Sequence, residues 1–195
     1  MANIIWCGNK SWDSNFPEGN LPNHAKKIDM PSDIFKSSIP YGVPPLIFCF
    51  AIIAVKWFVF GERAVNPLYI PLGLILGLLL IPVHELLHAI CYDKGQKVYI
   101  GICLEKFAAF AVCHEPITKI RFIVMSLMPM LLGVIPLMVF FFAPPNAVLS
   151  GICVPSGIIG MLSPMPDYMD VHFVLKQVPK SAFIQTQNTG FYWYR

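Results

Sequence analysis

The sequence predicts an α-helical integral membrane protein, with about four transmembrane helices and a small cytoplasmic β-hairpin between the second and the third. Three observations predict it. Of the 195 residues, 56% are hydrophobic and only 13% are charged, where a soluble domain carries about a quarter. The apolar residues gather in four blocks, each near the roughly 20 residues a helix needs to cross a bilayer. One stretch between the blocks is too short and broken for a span and is rich in β-branched and aromatic residues.

Taken in order, residues 1–42 are polar and rich in Pro and Asn. No positively charged start leads into an apolar core there, so the first span itself is expected to direct insertion. The polar segment is left as either disordered or covering the mouth of a site. The first span is expected at Val43 to Phe60 and is short. Its Lys56 is expected to snorkel to the interface. The second runs from Pro67 to Ile90, the third from Phe122 to Ala143 and the fourth from Ala147 to Met165. Pro144-Pro145-Asn146 supplies the turn between the last two.

The hairpin is expected over residues 97–113, around Glu105-Lys106. Phe191-Tyr192-Trp193-Tyr194 reads equally as a strand or an interfacial aromatic anchor. The resulting organisation is a polar segment 1–42, a membrane-embedded domain 43–178 and a tail 179–195.

Lysines set the orientation. Lys26, Lys27 and Lys36 precede span one, Lys94, Lys97, Lys106, Lys119 and Arg121 lie between spans two and three, and Lys176 and Lys180 follow span four. The other side has only Lys56 and Arg63. Basic residues stay inside, so both termini and the 91–120 loop are expected in the cytoplasm. The net charge of +3 is small and unclustered, which argues against a nucleic-acid partner. The six cysteines form no CxxC pair, so free thiols are expected rather than a disulfide framework. Cys103 or Cys113 with His114 matches no common zinc spacing.

Within span two stands His84-Glu85-Leu86-Leu87-His88. Three ionisable side chains in an apolar span are costly to bury and mark a functional site. Their spacing is that of zinc hydrolases, because positions four apart share a helix face and can hold one metal. Glu85 lies about 100° round, within reach of a metal-activated water. A catalytic zinc site needs a third protein ligand. Gly73, Gly77, His84 and His88 form one stripe of span two, and Ser156, Gly160, Ser163 and Asp167 a small-residue stripe of span four. Packing the stripes together would bring Asp167 to the histidines. Asp170 continues the same stripe, so periodicity leaves Asp167 and Asp170 both open. His172 is expected to be interfacial and inert.

With these residues in view, the chain resembles the small bacterial membrane proteins classed as zincin peptidases, similar in logic to intramembrane zinc metalloproteases of the site-2-protease class. The resemblance runs from about span two to the C-terminus. It rests on the His84-to-His88 motif, Cys113-His114-Glu115-Pro116, Arg121-Phe122, Met128-Pro129, Asp167 and the tail from Gly190 to Tyr194. It implies His84, His88 and Asp167 as ligands of Zn2+ and Glu85 as general base. It implies hydrolysis of peptide bonds in membrane-associated proteins or peptides, in a multi-pass protein of the bacterial plasma membrane. The competing readings are a metal carrier or sensor without hydrolysis, and a scaffold with a vestigial motif. Spans one and three offer few polar residues for a transport path.

Overall fold

The computed structural model describes residues 2–11, 14–61, 66–106 and 108–195. Arg63, used above for orientation, and Phe107 at the tip of the expected hairpin lie outside these residues. In chain order the elements are β1 (Asn3–Asn9), β2 (Lys26–Lys27), α1 (Ile34–Ser38), α2 (Val43–Phe60), α3 (Ile70–Leu79), α4 (Ile81–Ile90), β3 (Lys97–Cys103), β4 (Ala108–Val112), β5 (Ile117–Thr118), α5 (Lys119–Leu127), α6 (Leu131–Phe142), α7 (Ala147–Leu162), α8 (Met165–Gln177), β6 (Phe183–Gln187) and β7 (Gly190–Tyr194).

Among the described residues, four helical stretches are long and apolar enough to cross a membrane: Ile34–Val59, Pro67–Ile90, Lys119–Phe142 and Ala147–Gln177. All four are jointed, and prolines mark the joints. A 3₁₀ turn at Ile39–Gly42, containing Pro40, separates α1 from α2. Leu80 separates α3 from α4, with Pro82 in the first turn of α4. A 3₁₀ turn at Met128–Met130, containing Pro129, separates α5 from α6. Pro164 and Pro166 separate α7 from α8. Proline has no amide hydrogen to give a preceding carbonyl, yet fits the first turn of a new helix. The fourth stretch therefore extends well beyond the Met165 boundary expected from hydropathy, and Asp167 sits inside the first turn of α8 rather than at a frayed helix end. Asn146 caps α7, its side chain accepting from the amides of Val148 and Leu149.

Small residues bring the helices together. A Cβ on Gly73 would lie 2.6 Å from the carbonyl oxygen of Ile152, so α3 approaches α7 backbone to backbone. The expected pairing of stripes holds only in part. Gly160 is consumed by α6, where its Cβ would lie 2.5 Å from the Gly133 nitrogen. Ser156 turns its hydroxyl back to the Ile152 carbonyl at 2.7 Å. Lys56 also differs from expectation. It is 2% exposed, and its Nζ donates to the carbonyls of Phe140 and Ala143 at the end of α6. Those carbonyls have no intrahelical partner, so satisfying them outweighs a reach to water.

The strands form two sheets. The expected hairpin is present as β3 and β4, paired antiparallel from Tyr99↔Val112 to Cys103↔Ala108. The polar segment adds β1, parallel to β3, giving the order β1-β3-β4. The second sheet has the order β2-β7-β6-β5, so the aromatic tail is a strand. Sequence pattern missed β1 and β2 because neither alternates apolar and polar residues over enough length. Two cores result. One lies among the helices, around Cys49, Leu137, Phe140 and Val154. The other joins the sheets to α4, α5 and α8 through Ala89, Val98, Ile100, Phe122, Val174 and Ile184. The seam between them is where α4 and α8 meet.

Candidate metal centre

α4 and α8 each deliver side chains to one point. His84 and His88 are four residues apart on α4, so their rings lie one above the other. Their Nε2 atoms are 3.0 Å apart. Asp167 comes from the first turn of α8, with Oδ2 3.2 Å from His84 Nε2 and Oδ1 3.4 Å from His88 Nε2. One donor atom from each of the three residues lies within 4.8 Å of the others. Both imidazoles are more than nine-tenths buried.

The far sides of the rings are held as well. His88 Nδ1 lies 3.0 Å from the Met125 carbonyl oxygen on α5. A carbonyl can only accept, so Nδ1 carries a proton, and in the neutral ring Nε2 is left as a bare lone pair. His84 Nδ1 lies 3.3 Å from Ser163 Oγ. These partners fix ring orientation as outer contacts do in metal sites. A carboxylate and a bare imidazole nitrogen facing one point repel each other unless a cation lies between them. Two nitrogens and a carboxylate oxygen form a donor set that suits zinc. The geometry could therefore hold a metal ion.

A cavity of about 460 Å³ opens beside this point. Glu85 lines it together with Ala111 of β4. Asp170 also lines it, one turn beyond Asp167, but among the described residues the only group of three metal-binding side chains is His84, His88 and Asp167. Asp167, also on the cavity wall, groups with the histidines, and Asp170 lines the cavity without joining that group. The remaining walls are mostly apolar, from Ile81, Phe122 and Met125 to the β4 residues.

Other candidates fall elsewhere. His172 is exposed and its ring stacks edge-on with Tyr41 at 5.6 Å. Glu115 is exposed. All six cysteines are free. Burial pushes the Cys113 thiol up to about 11, which keeps it protonated near neutral pH. Cys103 is buried against the far face of the hairpin. Sequence reasoning had no means of finding the Met125 carbonyl, since a backbone group carries no residue-type signal. Ser163 was visible as a small residue of the stripe, but its contact with His84 depends on the joint at Pro164.

No curated protein and no solved structure matches the chain. A family model described as "putative zincin peptidase" matches residues 77–183. That match spans more than half of the chain and includes α4, both strands of the hairpin and α8, and the chain belongs to this family.

Proposed function

We propose that the protein is a membrane-embedded zinc metalloprotease that hydrolyses peptide bonds of membrane-associated substrates. The observation that carries the reading is the convergence of His84, His88 and Asp167 beside Glu85, in a cavity at the joint of two apolar helical stretches. Zinc held by His84, His88 and Asp167 would supply a Lewis acid that polarises the scissile carbonyl and acidifies water. Glu85 takes the proton from the attacking water as its oxygen bonds to the carbonyl carbon. It then gives that proton to the departing amine as the C–N bond breaks. Met125 and Ser163 hold the imidazoles so that both Nε2 atoms point inward.

A helical peptide hides its carbonyls, so the substrate must be extended at the site. Among the described residues β4 pairs with β3 alone, which leaves its other edge free beside Glu85. A substrate strand added to that edge would present its backbone to the cavity. The lysine distribution supports a topology with both termini and the sheets in the cytoplasm.

The test is zinc content of the detergent-purified protein, compared among wild type, His88→Ala, Asp167→Ala and Asp170→Ala. About one zinc per chain, lost with His88 or Asp167 and kept without Asp170, is the expected outcome. No zinc in the wild type after metal is supplied would sink the reading. Zinc without cleavage of any peptide captured by Glu85→Gln would leave a metal-binding protein that does not hydrolyse.

A further inference from the structure

The face of the first sheet that meets α4 runs on past that helix. Val98 and Ile100 of β3 turn toward α4 and are buried in one core with Ala89. β1 is parallel to β3, with Ile4 beside Val98 and Trp6 beside Ile100. Partners across a ladder project to the same side, so Ile4 and Trp6 point the way that Val98 and Ile100 do. β1 is the outer strand, however, and α4 packs on β3 and β4. Among the described residues, no β1 residue belongs to the core beneath the sheet. Ile4 is 42% and Trp6 63% exposed. Ile5, beside Tyr99 on the opposite face, is the better covered residue. The strand thus shows its larger apolar side chains on the side where the helices lie.

What lies beneath this overhang follows from the helices. α4 ends the apolar stretch Pro67–Ile90, and its outward residues Leu86 and Ile90 are exposed. In a chain whose spans cross a bilayer, such residues meet lipid. The sheet face turned toward α4 is therefore the face turned toward the bilayer, and Ile4 and Trp6 continue that apolar surface. Charge agrees with this placement. Lys97 stands beside Asn3 at the start of β1 and Lys10 follows its end, both exposed. β1 itself carries no acidic residue. Lysines flanking a tryptophan suit the anionic headgroup level of a membrane. There the indole ring is in apolar surroundings while its N–H stays wet.

We propose that the inner face of β1 docks through Ile4 and Trp6 on the headgroup layer of the bilayer, beside the spans. The polar segment before span one is then a membrane-contacting part of the scaffold. Docking there fixes the height of the β1-β3-β4 sheet against the lipid, and with it the height of β4, which lines the cavity of the metal centre. The inference rests on the membrane-embedded reading, but on neither zinc nor hydrolysis.

The test uses full-length chains that each keep a single tryptophan, Trp6, Trp57 or Trp193, with the others changed to Phe. They are reconstituted in vesicles of phosphatidylcholine and phosphatidylglycerol whose acyl chains carry bromine, either near the headgroup or near the terminal methyl. Bromine quenches an indole that it touches. Trp57 lies on α2 within the first apolar stretch and reports whether that stretch is in lipid. Trp193, on β7 beneath the Lys26 ammonium, reports on the second sheet. Trp6 should be quenched at least about twofold by the shallow bromine and less by the deep one, as befits the headgroup level. Trp193 should keep its emission. Quenching of Trp57 without Trp6 overturns the docking and leaves the spans standing. That is also the result if a second copy of the chain or another protein covers the strand. Quenching of neither removes the membrane reading, and the docking with it. Equal quenching of Trp6 and Trp193, or stronger quenching of Trp6 by the deep bromine, would sink the sheet into the acyl chains and overturn a headgroup site. If a single-tryptophan chain fails to fold, as judged by its melting temperature, the quenching lost between wild type and Trp6→Phe decides instead.

Discussion

The buried lysines and the buried metal centre are satisfied in opposite ways. Lys56 on α2 donates to the Phe140 and Ala143 carbonyls, 2.9 Å from the latter, and lies over the Phe140 ring. Lys119 repeats the arrangement at the end of α8, with the carbonyls of Leu175 and Val178. In both places a cation meets the carbonyl-rich end of a helix, and nothing is left over. At the metal centre the balance fails. Two imidazole nitrogens and a carboxylate converge beside a cavity, with more acceptors than donors. A buried charge with its partners complete is architecture. A buried cluster with an excess of one kind, facing open space, is where chemistry can occur.

Substitutions can break this contrast. The largest effect is expected for Glu85→Gln, which should keep zinc and lower peptide cleavage by about 10²–10⁴-fold, the usual contribution of a general base. Retained turnover would remove Glu85 from that role. Asp167→Ala should come next, with zinc lost on dialysis while Asp170→Ala retains it, read by metal analysis. Lys56→Met should do the reverse of Asp167→Ala. It leaves two carbonyls of α6 without a donor and should cost about 1–3 kcal/mol in thermal unfolding, with zinc content unchanged. A loss of zinc in that variant would merge the two clusters that the comparison separates. Ser163→Ala should weaken zinc binding about tenfold, the lower end for an outer contact, with little change in melting temperature.

The smallest effect concerns Cys113. Its folded thiol is raised from 9.0 to about 11 by burial. The folded state therefore holds its proton more tightly than the unfolded state does. Its contribution to stability is complete below pH 9 and fades as pH rises from 9 toward 11. Alkylation of Cys113 in the folded protein should stay slow at pH 8, where Cys7 on β1 is modified. Mass mapping after brief iodoacetamide treatment would show a Cys113 adduct at that pH if the thiol were instead activated.

The helices and the grouping of His84 with His88 were more legible in the sequence than the sheets. Long apolar blocks announce spans because hydropathy is a property of residue type alone. The spacing of His84 and His88 is equally local, since one helical turn places both on one face. Asp167 was reachable through the stripe argument, but the reason given for it was only partly correct. Gly160 serves α6, and it is the joint after Pro164 that carries Asp167 to the histidines. β1 was hidden because its stability comes from a parallel partner far along the chain, at Lys97 to Ile102. Lys56 was misplaced because its partners are backbone carbonyls of a different span, which no local pattern specifies. His114 looked like a loop residue, yet it is buried by Pro17 and by Gln185, whose amide donates to its carbonyl at 2.9 Å.

The proline joints have a mechanical consequence. Neither α4 nor α8 is a rigid continuation of the apolar helix before it. Each is a short strut set off by its proline from α3 or α7. An ion gripped by His84, His88 and Asp167 would act as a rivet through both struts. Loading the metal would then lock the sheet layer against the helical layer, and the tension of that grip would be felt as far away as the edge of β4.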